Sequence, residues 1–508
     1  MTISSILHAV VIAIAGVAQF TLAAETPPGS SFNFEFQGEN STSGWHKTQT
    51  VTLAPQKDYL ALIGNGCDSK IYRRVRLEPG YYMLTATGKG KFLRIRIAPD
   101  ACTRESYLNL NLSRDTWRTD WRLFKIEKNV NAMLLVHFGS VKRTESWIKK
   151  ITITHAVPPP DEAGVPTPEE LSQYKPVPEI VRGFDFSGDS EKNCQAFVDW
   201  HANVARLGIR IKPSGSKDGL AVYNPGWESQ LSQTKKFLEQ ARKYKFKVIL
   251  ILSQGAFLKG GYWDNPKLPE LAASVWGTVA KELLPYRDVI YGYDLMNEPL
   301  DWGQMPYPPK QWRSIAKAII KAIRNVDKKT WIIYEPGPGG MHWGFAQLKP
   351  LPDTRVIYSP HFYSPHEFTH QGIRNIEGTD LAEAMKKLNV RYPSVVNGFL
   401  WNKESIKKQL EVVRAFQQKY HVPILVGEFS VVRWAPKPDS ARYLQDLIDI
   451  FEEYHWSWVY HCFRQWPGWS LEYDETWTRG GGTEANIAQK VTDRAKVVKA
   501  GLLKNIKK

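Results

Sequence analysis

A (β/α)8 barrel preceded by an all-β jelly-roll or sandwich domain is the fold class the sequence predicts. Three observations lead there. Residues 30–156 alternate apolar and polar positions in short runs; residues 157–179 are proline-rich and lose that periodicity; from about 180 onward short β-branched runs alternate with amphipathic stretches.

In the N-terminal region the runs are FNFEF at 32–36, YYMLTATG at 81–88, FLRIRIA at 92–98, AMLLVHF at 132–138 and WIKKITITHA at 147–156. Gly, Pro, Asn and Asp separate them, as short antiparallel strands require. The segment VPPPDEAGVPTPEELSQYKPVPE, 157–179, reads as a semi-rigid extended spacer and sets the domain boundary. Beyond it the strand candidates are VRGFDF, GIRIKP, KVILIL, VIYGYDLMN, TWIIYEP, VIYSPHFY, VPILVGEF and WSWVYHCF. Helical stretches such as SQLSQTKKFLEQARKYK, KQWRSIAKAIIKAIRNVD and SIKKQLEVVRAFQQKY lie between them. Eight buried strands interleaved with helices close as a barrel. A doubly wound sheet is the alternative, but no Gly-rich phosphate loop follows the first strand.

Residues 1–24 contain the apolar run AVVIAIAGVAQFTLAA followed at once by polar ETPPGS. It is too short for a membrane span and ends on small residues, which predicts a secretory signal cut near Ala24, although no Lys or Arg precedes the run. No later stretch is apolar enough to span a bilayer, so the mature chain is expected to be secreted or periplasmic, without membrane insertion, and a monomer. Export would permit disulfides among Cys67, Cys102, Cys194 and Cys462, in any of three connectivities, with free buried thiols as the equal alternative. No CxxC or HExxH spacing marks a metal site, and neither metal nor cofactor is expected.

The 508 residues carry a net charge of +16, with 43% hydrophobic and 23% charged residues. Residues 25–156 hold 20 Lys and Arg against 12 Asp and Glu, so the excess is dense there. Such a surface suits either plain solvation or an anionic polymer. Nucleic acid is not expected, since no recognised binding motif is present.

In a (β/α)8 barrel the chemistry sits at the C-terminal ends of the strands. VIYGYDLMNEP ends in Asn297 and Glu298, and VPILVGEFS ends in Glu428. Carboxylates closing two different buried strands have no capping or surface-pair explanation. Glycoside cleavage needs such a pair, one group protonated to release the leaving oxygen and one ionised.

The motifs NEP at 297–299 and GEF at 427–429, 130 residues apart, resemble those of glycoside hydrolase family 5, the cellulase and mannanase family of clan A. The resemblance covers about 180 to 508. It implies that Glu298 is the general acid/base, Glu428 the nucleophile, and Asn297 a partner of the sugar 2-hydroxyl. It matches Arg210, in GIRIKP, to the arginine that supports the nucleophile. His361 and Tyr363, in SPHFYSP, match the family's His-x-Tyr, the tyrosine bonding the nucleophile. RGFDFSG at 182–188 resembles the first-strand motif. Two positions depart from the pattern: Ser253 stands where a histidine usually closes strand three, and His461 stands near the place of the strand-eight tryptophan. Trp466 and Trp469 follow on the loop as candidate platforms for the reacting sugar.

The implied activity is retaining hydrolysis of a β-linked poly- or oligosaccharide, with endo-β-1,4-glucanase first, a β-mannanase or other hemicellulase second, and a non-catalytic carbohydrate-binding protein as the outlying alternative. Loop tryptophans Trp263, Trp302, Trp343, Trp401 and Trp434 are candidates for sugar stacking or for loop packing. The N-terminal sandwich resembles carbohydrate-binding modules, with Trp45, Trp117, Trp121 and Trp147 as candidate platform residues or as core.

Overall fold

The computed structural model describes residues 31–156, 169 and 178–506, apart from 100–106, 127, 141, 189, 259–262, 264, 302–303, 305–306, 374–388, 397 and 479–482. The expected signal segment, most of the proline-rich linker, Cys102 and Trp302 lie outside the described residues. The chain divides into two compact units, 1–162 with 302–306, and 163–301 with 307–508.

In the first unit the strands form two antiparallel sheets. One runs Val51–Pro55, Leu60–Gly64, Thr144–His155, Gly80–Gly90, Arg114–Ile126, with Phe32–Glu35 also paired to Thr144–His155. The other runs His46–Lys47, Lys70–Leu77, Val130–His137, Arg94–Ala98, Leu108–Asn111. Leu60, Leu84 and Ile151 of the first sheet share one core with Ile71, Ile95 and Leu134 of the second. That shared core makes the pair of sheets a sandwich, and the period-two alternation is its cause.

The second unit is a (β/α)8 barrel. Its strands are, in order, Arg182–Asp185, Val204–Gly208, Lys247–Ser253, Ile290–Asn297, Trp331–Tyr334, Val356–Tyr358, Leu425–Phe429 and Ser457–Tyr460. All neighbours are parallel, and the eighth strand pairs with the first. Parallel bridges Tyr358↔Ile424 and His361↔Glu428 join the sixth strand to the seventh and close the cylinder. The Phe362 N–H donates to the Glu428 carbonyl at 2.9 Å on that seam.

Val181, just before the first strand, and one residue from each of the others, Val204, Ile249, Tyr291, Ile333, Ile357, Leu425 and Val459, form one buried apolar cluster. Such a layer is what holds a barrel of this kind together. Side chains on a strand return to the same face every second residue. Along strands two, five, six, seven and eight the residues two positions further on are Arg206, Glu335, Ser359, Gly427 and His461, so on that side the interior turns polar at its C-terminal end. Helices Ser232–Tyr244, Trp312–Arg324 and Lys403–Tyr420 fall where the periodicity put them and bury Phe237, Ile319 and Val413 against the outside of the sheet.

The second strand corrects the sequence reading. It occupies Val204–Gly208 rather than GIRIKP, so it ends two residues before Arg210, which is exposed. Cys194 and Cys462 are buried free thiols and Cys67 is free. Among the described residues no helix is long and apolar enough to cross a membrane.

Candidate active site

The polar layer is organised by Arg206, whose side chain is 2% exposed. Its Nη1 donates to Glu428 Oε1 at 2.6 Å and to Asp185 Oδ1 at 3.3 Å. Nη2 donates to Asn297 Oδ1 and to Glu335 Oε1, both at 2.8 Å. Nε donates to Asp294 Oδ2 at 3.0 Å. One planar fork thus fixes groups from strands one, four, five and seven, a task a point charge cannot perform. The arginine that contacts Glu428 is Arg206 and not Arg210, the residue matched by the resemblance.

Glu428 accepts a second hydrogen bond from the Tyr363 hydroxyl at 2.8 Å on Oε2. Burial would raise its pKa, but His361, His461, Arg206 and the Tyr363 hydroxyl outweigh burial and hold it well below the ordinary carboxylate range. Burial and the Glu428 charge push Tyr363 upward, so the tyrosine keeps its proton and donates it.

Glu298 closes strand four in the left-handed region, at φ 47°. A non-glycine residue pays about 1–2 kcal/mol there. Two contacts hold it: its N–H donates to Glu335 Oε2 at 2.7 Å, and Gln254 Nε2 donates to its carbonyl at 2.5 Å. The turn aims the carboxylate at the barrel mouth, where it is 41% exposed against 10% for Glu428. Its Oε1 lies 3.0 Å from His361 Nδ1.

His361 is wedged between carboxylates, its Nε2 3.3 Å from Glu335 Oε1 and its Nδ1 3.9 Å from Glu428 Oε2. Burial disfavours its charge, yet Glu335 and Glu428 raise its pKa well above the usual value. Room for the ring depends on Gly427, where a Cβ would sit 2.4 Å from Ser359 Oγ and 3.0 Å from His361 Nε2. His461 Nδ1 meets Asp185 Oδ2 at 2.5 Å and stands 3.8 Å from Glu428 Oε2. Burial lowers its pKa, but Glu428 and Asp185 raise it further, and the balance is upward. Asp294 is pushed well up by burial and by Glu335, against the pull of Arg206.

Nitrogen and carboxylate oxygens of Glu298, His361 and Glu428 lie within 4.8 Å of one another, as do those of Asp185, Glu428 and His461. Either trio has the donor types of a metal site. The Arg206 guanidinium already occupies the electrostatic place of a cation beside Asp185 and Glu428, and the arrangement fits organic acid–base chemistry better.

The structure therefore brings together Glu298, Glu428, Asn297, His361, Tyr363 and His461, and leaves Arg210 outside. Trp466 packs edge-on to Trp469 at 5.3 Å and to Trp434 at 6.1 Å. Trp469 approaches Tyr363 at 6.1 Å and His461 at 6.2 Å. Of the loop tryptophans, Trp263 and Trp434 are buried, donating to the Leu300 and Gln371 carbonyls. Sequence reasoning missed Arg206, Glu335, Asp294 and the part played by Asp185. Glu335 was within reach, because it closes TWIIYE as Glu298 and Glu428 close their strands.

A closed parallel barrel carrying two glutamates at the C-terminal ends of strands four and seven, one locked by arginine and tyrosine, defines a glycoside hydrolase. The chain belongs to the cellulase family, glycosyl hydrolase family 5, whose profile matches residues 177–466. Endoglucanase C of Acetivibrio thermocellus is 24% identical over 290 residues, which span 52% of this chain and 81% of that protein. Cellodextrinase A of Ruminococcus flavefaciens is 23% identical over 287 residues, 54% and 79% of the two chains. Among solved structures, Thermotoga maritima Cel5A in complex with cellobiose aligns over 63% of this chain and 96% of its own, with TM-score 0.49 and 19% identity. The cellulose synthase subunit Z from Clostridioides difficile aligns over 63% and 99%, with TM-score 0.48 and 20% identity.

Proposed function

We propose that this cellulase-family glycoside hydrolase is an exported, retaining endo-β-1,4-glucanase with Glu428 as nucleophile and Glu298 as acid/base. Glu428 attacks the anomeric carbon while Glu298 gives its proton to the departing oxygen. Glu298 then takes a proton from water, which cleaves the glycosyl ester and restores both groups. Asn297, its Oδ1 engaged by Arg206, has its amide N–H groups left for the sugar 2-hydroxyl. His361 and Tyr363 orient the two carboxylates.

The observation that carries the reading is that Glu298 and Glu428, from strands four and seven, each bring one carboxylate oxygen within 4.8 Å of the other's, which favours the shorter of two separations. Retaining enzymes hold their carboxyls about 5–5.5 Å apart, and inverting enzymes about 6.5–9.5 Å to admit a water. The glucan assignment is supported by the names of the relatives, an endoglucanase and a cellodextrinase. Export is supported by the apolar run in residues 1–24.

The test is product release from β-glucan, mannan, xylan and xyloglucan by the wild type and by Glu298→Ala. Mixed oligosaccharides from β-1,4-glucan, absent with the variant, are expected. Release from mannan alone would move the substrate to the hemicelluloses. Equal release by both proteins would overturn the site.

A further inference from the structure

We propose that the outer face of the first sandwich sheet is a binding platform for an anionic polysaccharide, a glycan chain bearing carboxylate groups. The face is defined by register. Trp147 pairs with Lys89 on one side and with Ala61 on the other, and Trp117 lies on the neighbouring strand Arg114–Ile126. The alternate positions of these strands, Leu84, Ala86, Ile148 and Ile151, fill the sandwich core. Trp117, Trp121 and Trp147 therefore point outward. Trp117 is 37% exposed and Trp121 41%. A soluble domain gains nothing by leaving large rings in a row on a flat face, and such rows mark binding surfaces.

The rings are interleaved with cations. Lys89 Nζ sits 4.5 Å from the Trp147 ring centre and 5.3 Å from that of Trp117. Lys149 Nζ sits 4.5 Å from Trp117, whose edge meets Tyr59 at 5.7 Å. Both ammonium groups rest on ring faces with no carboxylate within ion-pair distance among the described residues. Their neighbour Lys150 is taken by Glu35 at 2.6 Å, and Glu145 is the carboxylate on the same strand of this face. A neutral sugar would have to displace the ammonium groups from the rings and offer them only neutral hydroxyl acceptors in return. A carboxylated sugar offers its apolar C–H face to a ring and its carboxylate to the lysine beside it. The excess of 20 basic over 12 acidic residues in 25–156 favours the same ligand. The choice of a glycan over other polyanions rests on the glycosidase reading of the barrel.

The test is affinity electrophoresis of the full chain in native gels containing carboxymethylcellulose or hydroxyethylcellulose, polymers of one backbone that differ in charge. Every protein in the comparison carries Glu298→Ala, so binding is read without turnover and stands apart from the fate of the catalytic reading. Lys89→Ala/Lys149→Ala and Trp117→Ala/Trp147→Ala should each weaken retention by carboxymethylcellulose about tenfold, and leave any retention by hydroxyethylcellulose unchanged. Arg74→Ala/Arg76→Ala removes the same charge from exposed positions of the opposite sheet and should change nothing. All are surface changes, and unfolding midpoints check the fold. Equal losses from the lysine and arginine pairs would reduce the effect to diffuse charge and overturn the platform. Equal retention of the Glu298→Ala parent by both polymers, or tighter retention by DNA or phosphatidylglycerol vesicles, would overturn the ligand.

Discussion

Arg206→Lys separates the charge of the central cation from its shape. Arg206 reaches five acceptors, on Asp185, Asp294, Asn297, Glu335 and Glu428, at 2.6–3.3 Å. Lysine keeps the positive charge but brings three donors on one atom, so at least two of the five contacts are lost. A hydrogen bond involving a charged group is worth about 1.5–3 kcal/mol, which gives roughly 3–6 kcal/mol to be divided between stability and the transition state. The expected result is a kcat/KM lower by about 10²–10³ on a soluble glucan, with an unfolding midpoint lower by several degrees. Arg210→Lys, at an exposed position beyond the strand, should stay within about 0.5 kcal/mol of the wild type and keep full activity. Wild-type rates for Arg206→Lys, or a collapse of activity for Arg210→Lys, would refute the assignment and restore the reading drawn from GIRIKP.

Other expectations follow from the same geometry. Tyr363→Phe removes one donor from Glu428 and should lower kcat/KM about 10–100-fold, measured on an aryl glycoside. His461 has a raised pKa, so its charged pairing with Asp185 and Glu428 is complete below about pH 6.5 and is lost as pH rises through the higher folded value. The kcat/KM profile should therefore fall on its alkaline side, and His461→Gln should make that limb shallower; an unchanged limb would exclude His461 as its source. Arg182 grips Glu452 at 2.6 and 2.7 Å, tying the first barrel strand to the helix before the eighth. Burial raises the Glu452 pKa, but Arg182 and the Trp458 indole lower it more. Arg182→Ala should cost about 2–3 kcal/mol at pH 7, and the difference should shrink as pH falls from about 4.3 through the lower folded value.

The barrel was legible because its outer helices are amphipathic and its strands apolar. Both catalytic candidates were legible because a carboxylate at the end of a buried strand has no bland explanation. Strand two was misplaced for a physical reason. Ile209 and Ile211 alternate with Arg210 and Lys212 like a half-exposed strand, while the true strand, VARLG, hides a charged residue inside the barrel. Arg206 looked like a surface arginine because sequence patterning treats charge as outward. Only the four carboxyls around it, from strands far apart in sequence, make burial affordable. Asp294 was invisible in YGYDLMN for the same reason. The two departures, Ser253 and His461, were visible as differences, but the pairing of His461 with Asp185 needed the three-dimensional structure.

The central claim is the division of labour between Glu298 and Glu428, and azide reads it most directly. With an activated aryl β-glycoside, Glu428→Ala supplied with azide should yield the α-glycosyl azide, because azide replaces the missing nucleophile from the opposite face. Glu298→Ala with azide should yield the β-glycosyl azide, because azide then intercepts the intermediate on Glu428. The opposite configurations, or full activity of Glu428→Ala without azide, would contradict the account.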